Sequence, residues 1–574
     1  MLNKIRSNFI LNKIFKSIKN RIKINIIKYN KVIQRILYIN KENFEDFIIL
    51  KDFNEAFNFN IRDIDIEELN LCYKGLKNSN LHVFSKIGFN RLKILDLSYN
   101  RLTNLNPLKK FNLTKIEVLK LDFNQITDIN ALEVAKFGEL RELDLCNNKI
   151  SNINALAKIN LEKLEILNLF NYYDWHIRET YKILNKITDL NVLAKMNCNK
   201  LKVLNINTNC INNINILEKV NFHSLRELNL SGMLSKTKIK DISILGKVHF
   251  EQLEILDLSR NAIVDISVLE KVNFKKLKML YLNNNRINDI SVLERVDFKE
   301  LKELWLGENF DIEDINVLGK VKFNNLEKLD IGSNSIEDLS ILREVDFKKL
   351  KELYLYNIID IDINILHNVN FKELKVLYLG CSELPDIRAL EGLKFEYLEE
   401  LILCENTIKD INVLTKVNFP KLKKLDLGYN NISDISPLEF VYFENLEILD
   451  LNANQITNLS VLEKVNFKKL KMLFLYDNGI FDISFLEKVN FKELEKLYLD
   501  SNKITDISIF EKVDFNELKE LDLKENNISD ISVFEKVKFK KLEVLELKEN
   551  KISYRNFEFK KIFFNLRKLT LDDN

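Results

Sequence analysis

The chain has 574 residues, 30% of them charged, with a formal net charge of +2. That balance argues against a polyanion binder or an acidic tail protein, and the length fits either several globular domains or one array of repeats growing in a single dimension. The near-neutrality conceals an asymmetry: residues 1–41 hold eleven Lys or Arg and no acid, leaving 76 basic against 85 acidic residues in the remainder.

In the opening segment, Ile5, Phe9, Ile10, Ile14, Phe15, Ile18 and Ile22 recur at spacings near three and four, which predicts an amphipathic helix. A second helix is predicted through Val32, Ile33, Ile36 and Leu37. Residues 1–60 therefore read as a small helical segment, in the first place a cap over the apolar end of the remaining chain. Its apolar residues are broken by charge before a secretory core can form, and no run in the chain has the length of a membrane span. A mitochondrial presequence would share the basic, acid-free character, but this segment is rich in Lys and Asn and poor in Ser. The eleven basic charges also suit contact with nucleic acid or an anionic membrane. No nucleic-acid partner is expected from the chain as a whole. Cys72, Cys146, Cys198, Cys210, Cys381 and Cys404 form no CxxC pair and read as reduced residues of a cytoplasmic protein.

From about residue 61 a period of 24 residues takes over, seen in Leu446, Leu470, Leu494, Leu518 and Leu542. Twenty units begin at Leu92, each close to LxxLxLxxNxIxDIxxLxxVxFxx, and a degenerate one around Ile66–Leu71 precedes them. The LxL triplet is a half-buried strand, so Leu473 and Leu475 face inward and Phe474 outward. One unit cannot bury that face alone; stacked units make a parallel sheet and a shared core. Seventeen of the twenty units keep Asn where the chain must turn, as at Asn454, Asn478 and Asn502, and a buried amide there satisfies backbone groups that water cannot reach. Beyond the turn the pattern S-x-x-E, as in Ser267 and Glu270 or Ser460 and Glu463, predicts a short helix opened by a capping box. Pro107 and Pro437 fall where a helix start tolerates proline. Phe467, Phe491 and Phe515 belong to a column predicted to stack as an internal aromatic spine.

These motifs, with NQITDI, NKITDISIF and NNISDISPL, resemble leucine-rich repeats of the internalin and phosphatase-regulator (SDS22-like) type over residues 60–574. The resemblance implies an α/β solenoid that is curved, with parallel strands on the concave face and short helical turns on the convex side, whose members mostly bind other proteins on the strands. The opening IRSNFILNKIFKSI followed by IIKYNKVIQRIL resembles a divergent F-box, the helical module that docks substrate receptors onto cullin ubiquitin ligases; the usual Leu-Pro opening and Trp are absent. That resemblance implies a ligase adaptor bound through residues 1–40. A phosphatase regulatory subunit is the third reading.

No motif assembles an active site. His82, His176, His223, His249 and His367 lack metal-ligand spacing, and neither a phosphate loop nor a nucleophile elbow occurs, so no cofactor, metal or catalytic residue is expected. The informative column is the residue between the two leucines of LxL, which projects from the sheet. It is polar through Asp96, Lys120, Asp144, Asn168, Asn205, Asn229 and Asp257, then changes to Tyr281, Trp305, Asp330, Tyr354 and Tyr378. The column two residues on adds Tyr356, with Gly307, Gly332 and Gly380 expected to leave the rings open. Rings in a row on a strand face also stabilise a sheet by packing on each other. Because Tyr and Trp are enriched at binding hot spots, Tyr281, Trp305, Tyr354, Tyr356 and Tyr378 are the candidate partner-binding residues. A smaller group is Phe474, Tyr476 and Tyr498, and a thirteen-residue insertion between Tyr172 and Leu184 contains Tyr172, Tyr173, Trp175, His176 and Tyr181. At the far end Thr570, Asp572 and Asp573 are expected to keep an uncapped edge strand soluble.

Overall fold

The computed structural model describes residues 66–84, 91–111, 113–172, 184–232, 238–552 and 559–571. The opening segment, with its predicted cap or F-box-like helices, lies outside them, as do the insertion after Tyr172 and Asp572 and Asp573. The chain divides into two units, Met1–Asn261 with Val272–Phe274, and Ala262–Lys271 with Lys275–Asn574.

Each described repeat contributes a three-residue strand made of the residue before LxL, its first leucine and the residue between the two leucines, so that one inward side chain lies between two outward ones before the chain turns. Among the described residues the first unit has eight strands: β1 (Glu68–Asn70), β2 (Ile94–Asp96), β3 (Val118–Lys120), β4 (Glu142–Asp144), β5 (Ile166–Asn168), β6 (Val203–Asn205), β7 (Glu227–Asn229) and β8 (Ile255–Asp257). The second has thirteen: β9 (Met279–Tyr281), β10 (Glu303–Trp305), β11 (Lys328–Asp330), β12 (Glu352–Tyr354), β13 (Val376–Tyr378), β14 (Glu400–Ile402), β15 (Lys424–Asp426), β16 (Ile448–Asp450), β17 (Met472–Phe474), β18 (Lys496–Tyr498), β19 (Glu520–Asp522), β20 (Val544–Glu546) and β21 (Lys568–Thr570). Within each unit consecutive strands pair in parallel, in a register that sets leucine beside leucine, as Leu304 between Leu280 and Leu329. The degenerate first repeat obeys the same rule, Leu69 opposite Leu95.

Leu473 and Leu475 are fully buried while Phe474 lies half-exposed, and Phe467, Phe491 and Phe515 are buried as the repeat requires. A buried leucine stabilises by roughly 1.5–3 kcal/mol, so the stacked columns dominate the energetics. The asparagine ladder forms as expected. Asn454 Nδ2 donates to the carbonyls of Leu427 (2.9 Å), Leu451 (3.2 Å) and Asn452 (2.9 Å), and its Oδ1 accepts from Ile432 N (2.9 Å). One amide thereby ties two repeats together.

Two features depart from the sequence expectation. Between Asn106 and Glu535 the described helical segments opposite the strands are 3-10 turns, and in those of S-x-x-E sequence such as Ser267–Glu270 and Ser460–Glu463 no side-chain cap forms. Their serines occupy the first turn position itself, so the closing acceptor comes from two residues earlier: Asp265 Oδ1 accepts from Ser267 N (2.7 Å) and Asn458 Oδ1 from Ser460 N (3.0 Å). The second is a left-handed residue just before the ladder position, for instance Tyr99 (φ 52°), Arg260 (φ 60°), Glu308 (φ 57°) and Glu549 (φ 60°). A non-glycine residue there costs about 1–2 kcal/mol. The turn offsets it by aiming the residue's amide at the next repeat, as Glu308 N donating to Gly332 O (2.9 Å).

Candidate functional site

Strands β9 to β13 of the second unit carry the aromatic column, and parallel register fixes the order: Tyr281 opposite Trp305, Trp305 opposite Asp330, Asp330 opposite Tyr354, Tyr354 opposite Tyr378. The rings form a continuous row. Tyr281 and Trp305 have centroids 5.9 Å apart, Trp305 and Tyr354 5.3 Å, Tyr354 and Tyr378 6.2 Å, and Tyr378 and Tyr356 5.3 Å. Trp305 reaches Tyr354 although β11 separates their strands, because the side chain between them, Asp330, lies low. Asp330 is buried at 3% exposure, whereas all five rings are half-exposed. The structure thus brings every predicted site residue into one cluster.

The rings are half-exposed beside the glycines, and the glycines have a second role. A Cβ on Gly307 would stand 2.6 Å from both carboxylate oxygens of Asp330, one on Gly332 2.5 Å from Tyr356 Cδ1, and one on Gly380 2.6 Å from Tyr378 Cε2. Each glycine is a shelf on which a neighbouring side chain rests: the missing Cβ atoms let Asp330, Tyr356 and Tyr378 lie down on the sheet.

The polar tips of the rings are held from within. Glu303 Oε2 accepts from Tyr281 Oη (3.1 Å) and from Trp305 Nε1 (3.2 Å), and Glu352 Oε2 accepts from Tyr354 Oη (2.8 Å). Sequence reasoning missed Glu303 and Glu352, although the triplets ELW and ELY carried the signal: residues two apart on a strand share a face.

Burial pushes Asp330 up to about 7; the Gly332 N–H at 3.0 Å and the Tyr356 hydroxyl oppose this, and the Glu308 charge reinforces it. Burial also raises Tyr354, Tyr356 and Tyr378 well above the ordinary phenol value, with Glu352 adding to the shift at Tyr354 and Asp330 at Tyr356. All three hydroxyls are therefore neutral donors at physiological pH. The smaller predicted group is partly assembled: Phe474 stacks on Tyr498 at 4.8 Å and 4°. Tyr476 is half-exposed. In the insertion only Tyr172 belongs to the described residues.

A family model described as leucine rich repeat matches residues 396–456 and 492–552, and one described as leucine rich repeats in two copies matches 90–134, 251–295 and 275–320. No curated protein matches the chain. Among solved structures it is similar to a leucine-rich repeat protein of Leptospira interrogans, at 21% identity over 67% of this chain and 93% of that one, with a TM-score of 0.50. It is also similar to an internalin of Listeria monocytogenes (26% identity, 59% and 85%, TM-score 0.42). A third similar structure is the Arabidopsis receptor kinase HAESA in complex with the peptide hormone IDA and the co-receptor SERK1 (17% identity, 92% and 98%, TM-score 0.48).

Proposed function

This chain is a leucine-rich repeat protein, and on that premise we propose that it is a non-catalytic scaffold binding a protein partner at Tyr281, Trp305, Tyr354, Tyr356 and Tyr378. Proteins of this repeat fold generally serve interaction rather than catalysis, and the particular site is argued from one observation. On other strands the outward residue is commonly an acid or amide that closes on its own chain, as Asp450 Oδ1 accepting from Asn452 N (3.0 Å) and Asp522 Oδ1 from Lys524 N (2.9 Å). Four of the five strands from β9 to β13 replace that closing group with a ring that cannot accept at this position, and gather the rings side by side. Half-exposed Tyr and Trp in a contiguous row are the residue types and the geometry of a binding hot spot. With strands about 4.8 Å apart the row extends on the order of 20 Å, enough for a peptide or one face of a domain.

The experiment is a pull-down from the native cell lysate with the intact chain, a chain lacking residues 1–40, and Trp305→Ala combined with Tyr354→Ala. The double variant is expected to keep its thermal transition and lose a protein that both other forms retain, an affinity loss of about a hundredfold for two hot-spot residues. A partner lost only with residues 1–40 would move the function to the opening segment and leave the ring row as packing. The scattered cysteines, all unpaired, support a reducing compartment, and fractionation of the native cell checks that placement.

A further inference from the structure

We infer that the partner presents an extended basic segment, its Lys or Arg side chains laid on the ring faces between Tyr281 and Tyr378 and reaching the carboxylates beside them. This rests on the binding role proposed above and adds the chemistry of the ligand. First, the ring row offers acceptors rather than donors. The hydroxyls of Tyr281 and Tyr354 and the indole N–H of Trp305 are already given to Glu303 or Glu352. What stays open is ring face, whose quadrupole is negative, and a hydroxyl that donates to a carboxylate leaves its ring richer in electrons.

Second, the charge around the rings is acidic. On the outward columns of β9 to β14 and the turns beyond them stand Glu303, Glu308, Glu352, Glu400 and Glu405, against the single ammonium of Lys328. Lys328 is itself divided between Glu303 (3.6 Å) and Glu352 (3.4 Å). The lysines just before these strands are engaged as well: Lys302 and Lys351 with Glu327 (2.8 and 2.6 Å), Lys375 with Glu399 (2.9 Å). An acidic segment would meet repulsion here and a basic one attraction.

Third, the spacing fits. Side chains on one side of an extended segment recur about every 6.7 Å. The ring centroids along the row are 5.9, 5.3 and 6.2 Å apart, so alternate residues of a segment crossing the strands meet successive rings.

The test uses the full chain and fluorescence anisotropy of labelled peptides about a dozen residues long, alternating Arg with Ser or Glu with Ser, at low and physiological salt. The Arg peptide is expected to bind, the Glu peptide not. Glu308→Gln with Glu400→Gln removes two carboxylates that hold none of these ring tips, and is expected to weaken the Arg peptide about tenfold. Glu142→Gln with Glu227→Gln makes the same charge change on ring-free strands of the first unit, and is expected to leave binding unchanged. Thermal melts confirm that both pairs fold.

Equal binding of the two peptides, or equal loss from both glutamine pairs, overturns the inference. So does Arg-peptide binding seen only after removal of residues 1–41, which would identify the chain's own basic segment as the occupant. If the lysate partner depends on Trp305 and Tyr354 while the Arg peptide fails these criteria, the ring row remains the site and only the basic ligand is refuted. If the lysate partner ignores the ring variant, the binding role itself falls.

Discussion

In five of the eight described strands of the first unit (β1, β2, β4, β7 and β8) the outward residue closes on its own chain. Asp96 Oδ1 accepts from Ser98 N (2.9 Å) and Ser98 Oγ (2.6 Å), Asp144 Oδ1 from Cys146 N (3.0 Å), and Asp257 Oδ1 from Ser259 N (2.9 Å) and Ser259 Oγ (2.6 Å). In β9 to β13 of the second unit the same backbone position carries rings that reach to neighbouring strands, and the one acid among them, Asp330, retains the backbone bond but lies beneath them. The leucine columns run through both units, and the asparagine ladder of the second unit is interrupted beside the ring row, where Ile358 and Ser382 take its position: Ser382 Oγ accepts from Ile358 N (3.3 Å) and Asn406 Oδ1 from Ser382 N (3.0 Å). The difference therefore resides largely in side chains that the scaffold displays, which is how a repeat array acquires a local surface of its own.

The largest effect should test that equality of scaffold. Asn124 Nδ2 donates to the carbonyls of Leu97, Leu121 and Asp122 at 2.9, 3.1 and 3.1 Å, and Asn430 to Leu403, Leu427 and Gly428 at 3.0, 3.1 and 3.1 Å. Alanine at either leaves several buried carbonyls and one amide unpaired, a loss of about 3–5 kcal/mol in urea denaturation. A marked inequality between the two would break the comparison at its base.

Next comes the buried acid. Asp330, near 7 in the folded chain against about 4 unfolded, holds a proton that unfolding releases. Its contribution to stability is thus full below about pH 4 and lost as pH rises through 7. Asp330→Asn should stabilise by about 2–4 kcal/mol above pH 7 and by nothing below pH 4, read from denaturation midpoints across that range. Asp257 of the first unit is raised in the same direction by burial, but the Ser259 hydroxyl and amide, Ser231 and the Arg260 charge pull it back. Asp257→Asn should show the same sign and a smaller amplitude.

Gly332→Ala sharpens the contrast from the ring side. Its new Cβ, 2.5 Å from Tyr356 Cδ1 and 2.8 Å from Tyr356 O, should cost about 1–3 kcal/mol and lift Tyr356 from Tyr378, visible as a change in near-ultraviolet circular dichroism. The smallest effect belongs to the charge ladder before the strands. Glu327 between Lys302 (2.8 Å) and Lys351 (2.6 Å) matches Glu165 between Arg141 (2.8 Å) and Lys202 (2.5 Å). These pairs are partly exposed, so glutamine at either glutamate should cost less than about 1 kcal/mol, and less again in high salt.

Much of the fold was legible because each repeat places the same residue type against the same neighbour one period away. The inward leucines, the ladder asparagines and the tolerated Pro437 all derive from periods and local preferences that a linear reading detects. The capping box failed for a local reason: S-x-x-E fits a helix N-terminus, but the chain forms a 3-10 turn of four or five residues whose first amide the preceding Asp or Asn has already taken. The left-handed residue before the ladder position was hidden because Tyr99, Arg260 and Glu308 share no side-chain chemistry; the geometry is imposed by the turn around the amide.

At the ring row the linear reading chose the five aromatic residues, since alternation along a strand says which side chains share a face. It did not see that the glycines also seat neighbouring side chains, and it overlooked the carboxylates that hold the rings. Membership of a face depends only on parity within one strand, which repeats down the chain. Contact across the face depends on how far each side chain leans and on what the adjacent strand leaves vacant. Trp305 meets Tyr354, 49 residues further on, because Asp330 between them rests on the bare Cα of Gly307. That arrangement exists only once three strands are side by side.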